Sequence, residues 1–188
     1  WMGIHQLNFE SFAGLAVNIG PGGFTSLRTA CGVAQGLSVA WHLPTFPVSS
    51  FDCLVEQALA EKVQLLGKGA VLIDARLNEL YALRRHANHT DTADQPVLLP
   101  LQEVTVASWL AECHWLVCDE PAFHLIKNFE ALPTTHVTHV SARALARVGW
   151  RELKRGRSHR AHDCQPLYVR EKVAETTAER LARRHGTS

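Results

Sequence analysis

With 188 residues, 46% of them hydrophobic and 20% charged, the chain is long enough for one sizeable core or two small lobes. It contains no apolar run of the about 18 residues that a membrane span needs and no basic-then-apolar leader, so neither a span nor a secretory signal is predicted. The net charge of +1 hides an uneven distribution: from Arg143 onward there are 12 Lys and Arg against 5 Asp and Glu, a net charge of +7, which leaves the rest at −6.

Taken in chain order, the apolar run from Ala13 to Ile19 predicts a strand. Gly20, Pro21, Gly22 and Gly23 follow as a turn whose glycines permit positive φ angles and close approach to other atoms. A helix over 25–41 comes next, with Thr25 or Ser26 as its N-cap. Leu27, Ala30, Val33, Ala34, Leu37 and Trp41 recur at three- and four-residue spacing and predict its apolar face. Ala30, Gly32, Ala34, Gly36 and Ala40 keep its flanks slim. A helical glycine costs roughly 1 kcal/mol against alanine, so Gly32 and Gly36 predict close packing by another element, internal or a partner.

Further along, a short strand over 45–48 and a helix over 50–63, capped by Ser49 or Ser50, lead to a boundary at Gly67-Lys68-Gly69. Strands over 70–75 and 79–85, turning at Leu77-Asn78, form a hairpin. The polar stretch 88–95 is a loop. A helix over 105–113, a strand over 115–118, a helix over 123–129, a strand over 137–140 and a helix over 141–155 follow. In the helix over 141–155, Leu145, Val148 and Leu153 point inward. A last helix lies near 176–184. Alternating strands and helices predict α/β layers.

The strand, glycine turn, helix order is also the arrangement that holds phosphate, but the residues for it are missing. No lysine follows the glycines as a P-loop requires, and Gly20, Gly22 and Thr25 lack the third glycine of a dinucleotide fingerprint. Eleven histidines raise a metal site. His86 and His89 lie in a polar loop, His136 and His139 fall on opposite faces of a strand, and His159 and His162 sit in a basic linker, so no metal is predicted. Ser49, Ser50, Cys31 and Cys53 read as caps or core, and no G-x-S-x-G elbow exists. Asp74 and Arg76 read as an internal pair or a turn contact, with a catalytic carboxylate at Asp74 as an unsupported alternative. Cys31, Cys53, Cys113, Cys118 and Cys164 are odd in number without framework spacing, which predicts reduced thiols and a cytoplasmic protein. The basic C-terminal part reads first as a solvated amphipathic helix, with contact to nucleic-acid phosphates or to a phosphorylated cofactor held by a partner as the alternative.

Four segments together carry a resemblance. They are Gly20-Pro21-Gly22-Gly23-Phe24-Thr25-Ser26-Leu27-Arg28 with the helix through Leu37, Pro44 to Ser50, Leu72 to Tyr81, and Pro166 to Arg170. In this order they closely resemble the TsaB (YeaZ) family of threonylcarbamoyladenosine biosynthesis proteins. Gly23 and Ser26 stand where that family usually has Ser and Gly, and Pro47 replaces a usual Gly. The resemblance implies an actin-like ATPase (ASKHA) fold of two lobes, 1–66 as a partial N-terminal lobe and 67–188 as a C-terminal lobe with a basic tail. The family's opening Asp-Thr strand, hairpin and first helix have no counterpart before Ala13, so the chain is read as truncated at its N-terminus.

Further implications are a tRNA-modification role as a non-catalytic subunit and no catalytic residue, bound cofactor or metal in this chain. A TsaD-type catalytic subunit and a TsaE-type ATPase would be partners, with ATP and threonylcarbamoyl-adenylate used by the complex. A homodimer on the same surface and tRNA contact within the complex complete the expectation. The partner surface is expected on Phe24, Arg28, Ala30, Gly32, Val33, Gly36, Leu37 and Trp41, with Gly20, Pro21, Gly22 and Gly23 as a structural turn. The competing reading is a stand-alone acyl or carbamoyl transferase, or a peptidase, with the glycine turn as anion site and Arg28 beside it.

Overall fold

A computed structural model describes residue 8 and residues 11–86 and 94–169. The elements are β1 (Leu15–Gly20), α1 (Phe24–Trp41), β2 (Thr45–Ser49), α2 (Ser50–Ala60), β3 (Lys68–Arg76), β4 (Glu79–His86), β5 (Val97–Pro100), α3 (Glu103–Leu110), β6 (Trp115–Cys118), α4 (Glu120–Ile126), β7 (Thr134–Val137) and α5 (Ala142–Lys154). The final helix expected near 176–184 and most of the loop expected over 88–95 lie outside the described residues.

β1 and β2 pair in parallel, from Leu15 opposite Thr45 to Gly20 opposite Ser49. Because strand side chains alternate between faces, Leu15, Val17 and Ile19 turn toward Cys31 and Ala34 of α1. On the other face, Ala16 and Phe46 meet α5 at Gly149, where an added Cβ would lie 2.7 Å from the Ala16 Cβ. Two parallel strands are thus covered on both faces.

The second sheet runs β5-β4-β3-β6-β7. β3, β4 and β5 are antiparallel neighbours, whereas β3, β6 and β7 pair in parallel. Alternation again divides the core. Ala70, Leu72, Leu80, Ala82, Leu116 and Cys118 face Val106 and Leu110 of α3 and Ala122 and Ile126 of α4. Val71, Ile73, Leu83, Trp115 and Val117 face Phe51, Leu54 and Ala58 of α2. Burial on both faces explains why β3 and β6 read as unbroken apolar runs rather than alternating ones. Fully burying each large aliphatic or aromatic side chain here contributes about 1.5–3 kcal/mol.

Ser49 caps α2 and Ser141 caps α5, each accepting from a backbone N–H three residues on. The turn between β3 and β4 falls where expected, with Arg76, Leu77 and Asn78 all at positive φ. Other boundaries move. The helix expected over 123–129 starts at Glu120, because Asp119 accepts from the Ala122 N–H and Pro121 sits in the first turn. The helix expected over 105–113 occupies Glu103–Leu110. The helix expected over 50–63 ends at Ala60, where Lys62 turns left-handed with a φ of 64°. The strand expected over 137–140 lies at Thr134–Val137, since its pairing register follows β6. β5 has no counterpart among the expected strands; it is a short edge strand that follows Pro96 and ends on Pro100.

Candidate partner interface

The glycine turn joins β1 to α1 under steric control. Gly20 has a φ of 102°, and a Cβ there would lie 2.6 Å from Leu27 Cδ1. Its N–H donates to Asn18 Oδ1 at 2.9 Å. Ile19 O accepts from the Leu167 N–H at 2.7 Å, so the segment after α5 returns to the turn. The N-cap of α1 is Gly23, with no side-chain cap bond, rather than Thr25 or Ser26. Both lie inside the helix, and Thr25 O accepts from the Thr29 hydroxyl.

Arg28 stands at the centre of a clasp. Its guanidinium lies 3.7 Å from the Phe24 ring centroid and its Nε donates to Tyr168 Oη at 3.0 Å. Phe24 and Tyr168 rings are 6.0 Å apart. Phe24 and Arg28, expected as partner anchors, therefore tie the start of α1 to the Pro166–Val169 segment while both stay exposed. Tyr168 is not among the site residues expected from sequence. Its signal lies in the Pro166-Leu167-Tyr168-Val169-Arg170 match.

The apolar face expected for α1 is displaced. Leu27, Cys31, Ala34 and Ser38 are the buried positions. Ser38 can be inside because its hydroxyl donates to Leu43 O at 2.6 Å. Cys31 contacts the Cys164 thiol, and burial raises both; Cys164 is pushed up to about 12. Of the expected apolar positions, Ala30, Val33 and Trp41 are exposed and Leu37 is half-buried. The helix is apolar or small nearly all round, with Arg28 its only charge, so periodicity cannot choose the inward face.

What remains outward is a continuous uncharged strip. Thr25, Thr29, Gly32, Val33, Gly36 and Ala40 share the side opposite the buried one at 3.6 residues per turn. Val33 is 57% exposed. A Cβ added at Gly32 or Gly36 would meet nothing within 4 Å. The close packing that these glycines predict is therefore not supplied by any described part of this chain.

Beside the turn lies a cavity of about 390 Å³ lined by Pro21 to Phe24, Ile73 to Leu77, Tyr81, Asp119, Pro121 and Pro166 to Val169. Its charged lining is Asp74, Arg76 and Asp119. Arg76 Nη1 is 3.0 Å from Asp74 Oδ2, the internal pair expected from sequence. Asp119 accepts from the Ala122 and Asp74 N–H groups; burial raises its carboxyl, against the lowering effect of those two bonds. Two carboxylates and one guanidinium already on a carboxylate do not fit a triphosphate. Among the described residues no group of three His, Cys, Asp or Glu could hold a metal ion. No helix among them is long and apolar enough to cross a membrane.

The turn, α1 and the β3–β4 hairpin all fall within residues 2–108, which match the family model for TsaD, tRNA N6-adenosine threonylcarbamoyltransferase. The chain belongs to this family. Within the TsaD family it is similar to proteins named tRNA threonylcarbamoyladenosine biosynthesis protein TsaB. That of Haemophilus influenzae is 36% identical over 84 residues, 43% of this chain and 31% of the relative. That of Escherichia coli is 39% identical over 69 residues, 36% of this chain and 28% of the relative. The chain thus spans about a third of the length of the curated relatives it matches. In structure it resembles YeaZ from Pseudomonas aeruginosa with a TM-score of 0.72 at 24% identity, over 89% of this chain and 79% of that one. The fold is the actin-like α/β fold, as the resemblance implied.

Proposed function

We propose that the chain is a non-catalytic subunit of the assembly that forms threonylcarbamoyladenosine in tRNA, and that it holds a TsaD-type catalytic subunit through the outer face of α1. The observation that carries this reading is the strip around Gly32 and Gly36. An 18-residue helix with one charge and two glycines open to the outside has a surface that disfavours solvent and admits a second backbone at short range. Val33 lies within it as an apolar contact and half-buried Leu37 borders it, whereas Trp41 falls near the buried side at the end of the helix. A TsaE-type ATPase joins the pair.

The assembly moves the threonylcarbamoyl group from threonylcarbamoyl-adenylate to the adenosine beside the anticodon in tRNAs reading codons that begin with A. In this reading ATP and the adenylate are bound by the partners, because Arg76, the one cation that lines the cavity beside the glycine turn among the described residues, already pairs with Asp74. A homodimer would bury the same strip, so self-association and partner binding compete.

The test is size exclusion with light scattering on the chain alone and mixed with the TsaD-type subunit. A one-to-one complex that replaces any homodimer is expected; no complex at any ratio contradicts the reading. The family model itself describes a transferase, which favours a second reading, catalysis by this chain through the glycine turn and Arg28. Calorimetry with ATP, ADP and threonylcarbamoyl-adenylate decides it: heat of binding by the isolated chain supports catalysis, and none removes it.

A further inference from the structure

α5 carries a second surface that the subunit reading does not use. Its inner side, Ala144, Leu145, Val148 and Gly149, packs on β1, β2 and α2. Its outer side presents Arg143, Arg147, Trp150 and Lys154, spaced four, three and four residues apart and therefore aligned along one face over about 16 Å. All four are exposed, Trp150 by 56%. Lys154 Nζ lies 4.7 Å from the Trp150 ring centroid.

The arginines of this region divide into two sets. Arg151 pairs with Glu56, and Arg155 and Arg157 pair with Glu152 at 2.9 and 3.5 Å. Those pairs line the groove toward α2. Arg143, Arg147 and Lys154 have no carboxylate in ion-pair reach among the described residues. Over residues 142–162 there are seven Lys and Arg against one acidic residue, Glu152. A row of uncompensated cations with an exposed indole between them matches a polyanion that also offers flat rings.

We infer that the outer face of α5 is an RNA-contact surface, with Arg143, Arg147 and Lys154 on phosphates and Trp150 stacked on an unpaired base. This rests on the tRNA-modification reading above and assigns to this chain a share of the substrate grip. A membrane surface fits less well. The apolar side of α5 is buried in the fold, and its outer side has a single apolar residue to insert.

The experiment is fluorescence anisotropy of an unmodified tRNA transcript against the full 188-residue chain over a salt series. Compared are the unaltered chain, the triple variant Arg143→Gln/Arg147→Gln/Lys154→Gln, Trp150→Ala, and Lys127→Gln as a charge control on α4's exposed end. The triple variant is expected to flatten the slope of log affinity against log salt by about 2 to 3, from about 0.7–0.9 per lost phosphate contact. Trp150→Ala is expected to weaken binding about ten-fold at every salt concentration, as for loss of one stacked base. Lys127→Gln leaves the affinity near that of the unaltered chain.

Unchanged affinity and slope in the triple variant, or no RNA binding by the unaltered chain, overturns the inference. So does equal binding of polyglutamate or of anionic vesicles at matched charge, which would assign the face to an acidic protein or a membrane. The triple variant should still bind the TsaD-type subunit. RNA binding that depends on α5 without any complex would leave this inference standing while the subunit reading fails. A complex with α5-independent RNA binding would do the reverse.

Discussion

At the scale of single residues, two positions show how the surroundings decide what a side chain costs. Gly69 reads from sequence as part of a boundary, yet it lies inside β3, and a Cβ there would fall 2.0 Å from the Trp115 ring. The ring lies against the backbone in the space a side chain would take, so only glycine serves. Gly69→Ala should destabilise the chain by about 1–3 kcal/mol or more through overpacking, read as a lower urea midpoint; an unchanged midpoint would show that Trp115 moves aside freely. Nothing in a lone sequence distinguishes such a glycine from a turn glycine, because the partner ring is 46 residues away.

Asp119 supplies the pH prediction. Burial raises its carboxyl above the ordinary 3.8 despite two N–H donors, so the folded chain holds the proton more tightly than the unfolded one. Its favourable contribution is complete below that ordinary value and is lost as pH rises through the folded value. Asp119→Asn keeps an acceptor for the Ala122 N–H and removes the charge. It should therefore gain stability over the unaltered chain as pH rises from about 4 to 7. Urea unfolding at several pH values measures this, and a deficit that grows with pH would contradict it.

At the scale of elements, α1 and α5 teach opposite lessons about glycine. Gly149 is where α5 touches β1, and a Cβ placed there would stand 2.7 Å from the Ala16 Cβ; Gly36 faces open space. Overpacking at Gly149→Ala costs about 1–3 kcal/mol and a propensity gain of about 1 kcal/mol offsets part of it, so a net destabilisation of up to about 2 kcal/mol is expected. Gly36→Ala should stabilise the isolated chain by about 1 kcal/mol. Thermal unfolding of both variants tests the pair, and the same sign for both would refute the packing described.

The position of α1 is legible almost to the residue, because turn and helix signals stand next to each other there. Its inward face is not, because Cys31 and Ser38 lie inside while Val33 lies outside. α4 begins three residues before its expected start because Asp119, Glu120 and Pro121 act as cap and first turn. β5 escapes a sequence reading because Val97, Leu98 and Leu99 between prolines give too short a run to show a period.

At the scale of the molecule, the α/β alternation is readable because buried strands such as Ala70 to Ile73 and Trp115 to Cys118 are compact apolar blocks separated by helices. The crossing of the chain is not. α2 lies under the second sheet, α5 and Leu167 return to the first, and Arg28 meets Tyr168 across 140 residues. Such contacts have no local signature, which is why Tyr168 and Asp119 escape the site reading. The strip on α1 is half legible: Gly32 and Gly36 mark it, and only the structure shows that no described part of the chain fills it.

The central claim, that this strip holds a TsaD-type subunit, is tested most directly by titrating that subunit calorimetrically against the unaltered chain and Gly32→Leu/Gly36→Leu. Leucine at both positions occupies the space a second backbone needs, where an added Cβ meets nothing within the described chain. The account predicts a folded variant whose affinity falls at least a hundred-fold, about 2.7 kcal/mol. Equal affinity for the two chains would contradict it and place the contact elsewhere.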